Sequence, residues 1–184
     1  LHWEHSWVTS NGLVLRNGRT LADLRGVSVE RLLLLFLTGQ ISGVLEDLQH
    51  ELIRYDDESK DDYSIYSSVV HSLDSDTPVI TQLISALLAL HGPKSRQGRR
   101  LRTSLSTQEL WKDTLVDVLY LITILPKIAG LIMANKHGAR SSYTDSVPGK
   151  HEFSFAREVS RHLIRGVIGV PHENVEGFIS LYLV

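Results

Sequence analysis

The segment from Thr114 to Met133 constrains this chain more than any other, because it is about as long as a membrane-spanning helix and almost as apolar. A helix that is apolar all round belongs in a bilayer or in the middle of a protein core. Asp117, Pro126 and Lys127 fall inside it, and charge in hydrocarbon is costly, so the segment reads as the central helix of a bundle and not as a membrane span. Ser106-Thr107-Gln108-Glu109 has the spacing of a capping box and opens this helix. Lys136, His137 and Gly138 form its end. Pro126 removes one backbone hydrogen bond and predicts a kink.

The rest of the chain reads as helix around that centre. Five Leu and a Phe between Val29 and Leu37 predict a buried helix stopped by Gly39. From about Ser42 to Tyr55, Val44, Leu45, Leu48, Leu52 and Ile53 recur at helical period. The acidic run Asp56, Asp57, Glu58, Asp61, Asp62 follows and reads as a solvated connection, since packed like charges repel. Thr77-Pro78 and Gly92-Pro93 bracket a helix over 78–91, with Thr77 as cap, whose apolar residues run nearly all round and predict burial on every side. Two more helices are expected over 154–167 and 171–184. Before all of these, Asn11-Gly12 and Asn17-Gly18 favour tight turns, and a short hairpin fits Gly12 to Arg16. The expected architecture is all-α and multi-helical: one domain over 1–184, with an irregular or hairpin segment over 1–27 and a helical core over 28–184.

Composition narrows the chemistry. The chain has 184 residues, enough for one domain with a core. Its 19 Lys and Arg against 21 Asp and Glu leave a net charge of −2, so any contact with nucleic acid or anionic lipid must be local. With no cysteine, disulfide scaffolds, thiolate metal sites and cysteine nucleophiles are excluded. The opening Leu1-His2-Trp3-Glu4 has the pattern of neither a secretory nor a transit leader.

Several segments, in order, resemble citrate synthase. Gly18-Arg19-Thr20-Leu21-Ala22-Asp23-Leu24 is similar to the family's "RG, small, Ile, x, Glu-Leu" element, with Arg and Gly transposed. Leu34-Leu35-Phe36-Leu37-Thr38-Gly39-Gln40-Ile41 resembles "LLLTGQIP", the most specific piece. Gln82-Leu83-Ile84-Ser85-Ala86-Leu87-Leu88-Ala89-Leu90 resembles the "QLSAAITAL" helix, with Pro78 one position away from the family's proline. Trp111, Asp117 and Leu125-Pro126 resemble the long helix "W…D-L-I-A-K-L-P", and Gly169, Leu181, Tyr182 and Leu183 resemble "LGY…LMRLYL", with Val170-Pro171 for Tyr-Thr. The resemblance runs from about Asn11 to Val184, omitting 56–76 and 139–150.

That resemblance implies a fragment of the family's large helical domain. It also implies that Gln82–Leu90 and Trp111–Asn135 are helices that pack across a subunit boundary. In the family the oxaloacetate-binding segment and the catalytic histidines and aspartate follow the "LYL" helix, so no catalytic residue is carried over. The expectation is a non-catalytic structural or accessory subunit of a larger assembly, or a homodimer, on the matrix side of the mitochondrion, with no cofactor. The amino-terminal half of a genuine citrate synthase and an unrelated helical interaction domain are the alternatives. Core or interface positions are expected at Leu83, Leu87, Leu90, Leu119, Ile122, Leu181 and Leu183.

Other residues carry weaker chemistry. Lys94, Arg96, Arg99, Arg100 and Arg102 form a basic cluster that can hold RNA phosphates, a cofactor phosphate or cardiolipin head groups, or simply balance the acidic run. Among nine histidines His2 and His5 are the closest pair, in no metal-binding pattern. Glu30, Glu109 and Glu173 read as first-turn helix carboxylates.

Overall fold

The computed structural model describes residues 6–10, 12–15, 18–42, 45–92, 110–138 and 152–165. A small antiparallel sheet comes first: β1 (Ser6–Thr9), β2 (Gly12–Leu15) and β3 (Arg19–Thr20), in that order across the sheet. The β1–β2 hairpin pairs Thr9 with Gly12 and Ser6 with Leu15, so its turn comes before Gly12, and the stretch expected to hold a hairpin from Gly12 to Arg16 supplies one strand, Gly12–Leu15. Gly18, at φ 74°, makes the second turn in a conformation that disfavours a side chain. Leu15 packs with Leu24 and Leu35 in a minor core beneath the sheet. In the short 3₁₀ turn Leu21–Leu24, the Asp23 carboxylate accepts from the N–H and hydroxyl of Thr20, both at 2.8 Å.

Helix α1 (Val29–Thr38) begins where Ser28 Oγ accepts from the Arg31 N–H and stops at Gly39, whose φ is 78° and whose N–H bonds Leu35 O at 2.7 Å. Its Leu-rich sequence buries Leu34 and Leu35 but leaves Phe36 and Leu37 exposed. Helix α2 covers Leu45–Glu58, three residues later at both ends than hydropathy predicts. Its buried stripe, Leu48, Leu52 and Tyr55, carries on into Asp56 at the same helical period. The turn 59–62 then leads into α3 (Tyr63–Ser72), a helix absent from the sequence expectation, which buries Tyr66, Ser67 and Val70.

Helix α4 (Val79–Leu90) starts one residue later than expected, with Pro78 as the cap and its carbonyl accepting from Thr81 and Gln82. Contrary to expectation it is buried on one side only: Gln82, Ala86 and Leu90 face inward, Leu83 and Leu87 are half-buried, and the opposite side is open.

Helix α5 (Leu110–Lys136) is the centre. It packs against α2, α3, α4 and α6 (Phe155–Arg165) and contributes Leu119, Tyr120, Ile124, Ile128, Leu131 and Ile132 to the main core, with Ile122 half-buried against it. Although long and apolar enough to cross a membrane, α5 has 56% of its most apolar window buried inside the protein. The helix continues through the buried Pro126 and ends at Gly138, φ 65°. The capping box at 106–109, the polar loop at 139–150 and the expected helix at 171–184 lie outside the described residues.

Helix α6 is held by residues far away in sequence. The Gln49 amide donates to Phe153 O at 2.9 Å and accepts from Phe153 N at 2.6 Å. Glu30, a first-turn carboxylate on α1, accepts from the Phe155 N–H at 2.7 Å and so caps α6 as well. Gly130 lets the two helices touch: a Cβ there would sit 2.5 Å from the His162 carbonyl oxygen and 2.6 Å from its Cβ.

Two outcomes follow from these contacts. Gly130→Ala forces α5 and α6 apart and lowers stability by about 1–3 kcal/mol, read as a lower midpoint in denaturant unfolding. The backbone N–H and hydroxyl of Thr20 hold the Asp23 carboxyl below its ordinary value. The contribution of Asp23 is therefore present above its unfolded pKa and lost as pH falls through the lower folded one. A carboxyl titration of Asp23 by NMR should show a midpoint below 3.8, and Thr20→Ala, which removes the hydroxyl donor, should move it back toward that value.

Candidate functional site

Among the described residues, a cluster of buried polar side chains lies between the end of α2, the α2–α3 turn and α5. Lys127 Nζ stands 2.8 Å from Asp56 Oδ1 and donates to the Asp56 carbonyl at 2.9 Å and to Ser59 Oγ. Ser59 Oγ donates in turn to the Asp56 carbonyl at 2.7 Å. Two turns earlier on the same face of α5, the Tyr120 hydroxyl donates to Asp62 Oδ2 at 2.5 Å. The Tyr120 ring meets that of Tyr55 edge to face, centroids 6.5 Å apart. This corrects the reading of the acidic run as a solvated connection. Asp57 and Asp61 do face solvent, but Asp56 and Asp62 are buried because they continue the inward stripe of α2 into the turn.

The side chains of Lys127 and Asp56 retain only 5% and 3% of their exposure. Two charges so far from water are tolerable only when paired and hydrogen-bonded, and here the ammonium is ion-paired with Asp56 and donates to two further oxygens. A serine beside a lysine is also the arrangement of some nucleophilic enzymes. In those the lysine must offer a lone pair as base, whereas Lys127 is ion-paired with a carboxylate and donates to a carbonyl and a hydroxyl, and Ser59 is fully buried. The cluster is chemically a clamp, joining one turn to the central helix at two points.

A second buried polar chain supports α4. Gln82 Nε2 donates to Thr77 O at 2.9 Å, while Asn135 Nδ2 donates to Gln82 Oε1 at 3.1 Å and to Leu73 O at 3.3 Å. On α6, the buried Glu158 accepts from Arg161 at 2.5 Å and lies 3.8 Å from His162 Nε2. Among the described residues no group of three or more His, Asp or Glu is placed to hold a metal ion.

The other candidate is a surface. Ile80, Ile84 and Leu88 are 61%, 49% and 66% exposed and form one row along the outer side of α4. At the start of α5, Trp111 is 64% exposed, with Val118 also open seven residues on. Of the residues singled out in the sequence, Leu90 and Leu119 are buried in the core, and Leu83, Leu87 and Ile122 are packed against it. The basic residues Lys94, Arg96, Arg99, Arg100 and Arg102, the histidines His2 and His5, Glu109, Glu173, Leu181 and Leu183 lie outside the described residues. Sequence reasoning missed the buried clamp. Its signal was helical spacing, with Asp56, Ser59 and Asp62 falling where Leu48 and Leu52 predict the next inward positions.

No protein-family model matches this chain, and no curated protein matches it.

Removing one partner from a buried pair leaves the other charge without compensation. Lys127→Met should therefore cost about 3–5 kcal/mol, whereas the joint change Lys127→Met with Asp56→Asn should recover most of that loss. Equal losses for the single and double variants in chemical unfolding would show that the pair does not act as a unit.

Proposed function

We propose that this chain is a non-catalytic helical scaffold resembling the large domain of citrate synthase, serving as a structural or accessory subunit of a larger assembly on the matrix side of the mitochondrion. The observation that carries this reading is the outward row Ile80, Ile84 and Leu88. Scattered apolar side chains are ordinary on a protein surface, but a straight row on a helix with no charged residue is a contact surface without its contact.

The resemblance adds weight at the same place. In citrate synthases the helices corresponding to Gln82–Leu90 and Trp111–Asn135 pack across the subunit boundary, and in this chain the segments that match them expose Ile84, Leu88, Trp111 and Val118. The internal use of Lys127, Asp56, Ser59, Asp62 and Tyr120 favours a scaffold over an enzyme, since these buried groups are turned toward one another. The mitochondrial assignment comes from the family's usual home. The packing of α5 against four other helices favours a subunit that does not itself span a membrane.

The experiment is the intact mass of the natural protein, read with the size of its native complex and its position after mitochondrial subfractionation. The protein comigrating with a larger assembly in the matrix fraction, without citrate-forming activity, is expected. A mass roughly double, with citrate-forming activity, overturns the reading in favour of a whole synthase. Ile84→Asp should release the chain from the assembly while changing its own stability by less than about 0.5 kcal/mol, as for other exposed positions; retention at wild-type levels would remove α4 from the interface.

A further inference from the structure

The geometry points to Tyr120 and Asp62 as a redox-active pair, in which Tyr120 yields an electron to a one-electron oxidant while its phenolic proton passes to Asp62. This function is independent of the scaffold reading and rests on the buried clamp. The Tyr120 hydroxyl lies 2.5 Å from Asp62 Oδ2, the separation of a hydroxyl that donates to a carboxylate, and both residues are 2% exposed. A phenol that loses an electron becomes strongly acidic, so in a dry interior the loss is costly unless a base already stands at the proton. Asp62 stands there. In the step an electron leaves the Tyr120 ring for the oxidant, the phenolic O–H bond breaks and an O–H bond forms on Asp62. The products are a neutral phenoxyl radical and a neutral carboxylic acid. One buried negative charge disappears, which a site away from water favours. The hydrogen bond survives with its direction reversed, so the clamp stays shut.

A route for the electron runs outward through Tyr55. Its ring meets that of Tyr120 edge to face, 6.5 Å between centroids, and its hydroxyl accepts from Arg54 at 2.8 Å. Arg54 also covers the Tyr55 ring at 4.6 Å and keeps 53% of its side-chain exposure, so solvent is one side chain away. Tyr66 shares the main core with Tyr55 and Tyr120, and Tyr63, packed against that core, meets Tyr66 edge to face at 5.4 Å. Four of the chain's six tyrosines are thus gathered in one part of the fold. Sulfur side chains ordinarily take up oxidising equivalents, yet this chain has no cysteine and one methionine. An oxidant of the peroxyl-radical class therefore has these rings to draw on, and Tyr120, with its proton acceptor in place, is where the oxidation settles.

The test generates a ruthenium(III) polypyridyl oxidant by flash photolysis in a solution of the full chain and follows the tyrosyl radical by electron paramagnetic resonance. The wild-type chain should give a radical whose oxygen carries an exchangeable hydrogen-bonded proton in electron–nuclear double resonance, and which forms more slowly in deuterated water. Tyr120→Phe should abolish that signal. Asp62→Asn keeps the ring but removes the base, and should slow formation of the radical by about a hundredfold, the lower end of what a placed proton acceptor contributes. The absence of any tyrosyl radical in the wild-type chain, a radical without that proton, an unchanged signal in Tyr120→Phe or an unchanged rate in Asp62→Asn each overturns the pair. Should either variant fail to fold, the wild-type resonance and its isotope dependence decide the matter alone. None of these outcomes touches the scaffold reading.

Discussion

Everything in the described core is arranged around one charge that has no route to water. Lys127 lies inside the longest described helix, and that helix can be central only because Asp56 and Ser59 are brought to it. An ammonium group without such partners would be among the most unfavourable things a core could contain. The position of α2, the course of the turn after it and the start of α3 are all tied to that requirement. Tyr120 and Asp62 repeat the attachment two turns away, so the α2–α3 turn is fixed at two points along α5 and cannot slide or rotate against it. Apolar contacts alone tolerate such sliding, whereas paired polar groups in a dry interior define a register.

How much of this could be read from the sequence depends on which signal dominated locally. The central helix, the stop at Gly39 and the end at Gly138 were legible because each rests on a feature with few alternatives: a long apolar run, or a turn that needs a positive φ. The segment 56–76 was misread because charge outweighed periodicity. Five acidic residues in seven look solvated, yet a helix sorts residues by angle, and only Asp57 and Asp61 were on the wet side. Once Asp56 is inward, a buried cation is required of the fold, and Lys127 is the one within reach. No local pattern links residues 71 positions apart, so the pair could not have been read from either strand of sequence alone.

The opposite error occurred on α4. Its composition favours burial on all sides, but composition says nothing of how many neighbours are at hand. The helix packs on α3 and α5 through Gln82, Ala86 and Leu90, and the same apolar chemistry continues round to its open side. The inward polar residue, Gln82, is held by Thr77 and Asn135, which fixes which face is which. The rotation of α4, and with it the direction in which Ile80, Ile84 and Leu88 point, is thus determined by one amide and not by the apolar residues.

The two attachments of α6 also bear on how the chain comes together in time. Gln49 and Glu30 bond to backbone groups 104 and 125 residues further along. During synthesis, at about 5–20 residues per second, the partners of α1 and α2 emerge only after an interval of several seconds or more. Over that interval two polar side chains destined for the interior have water as their only solvent, and burying them early would carry the penalty of an unmade bond. The early helices therefore gain by staying loosely packed until the last described one arrives, which makes α6 the element that closes the described core.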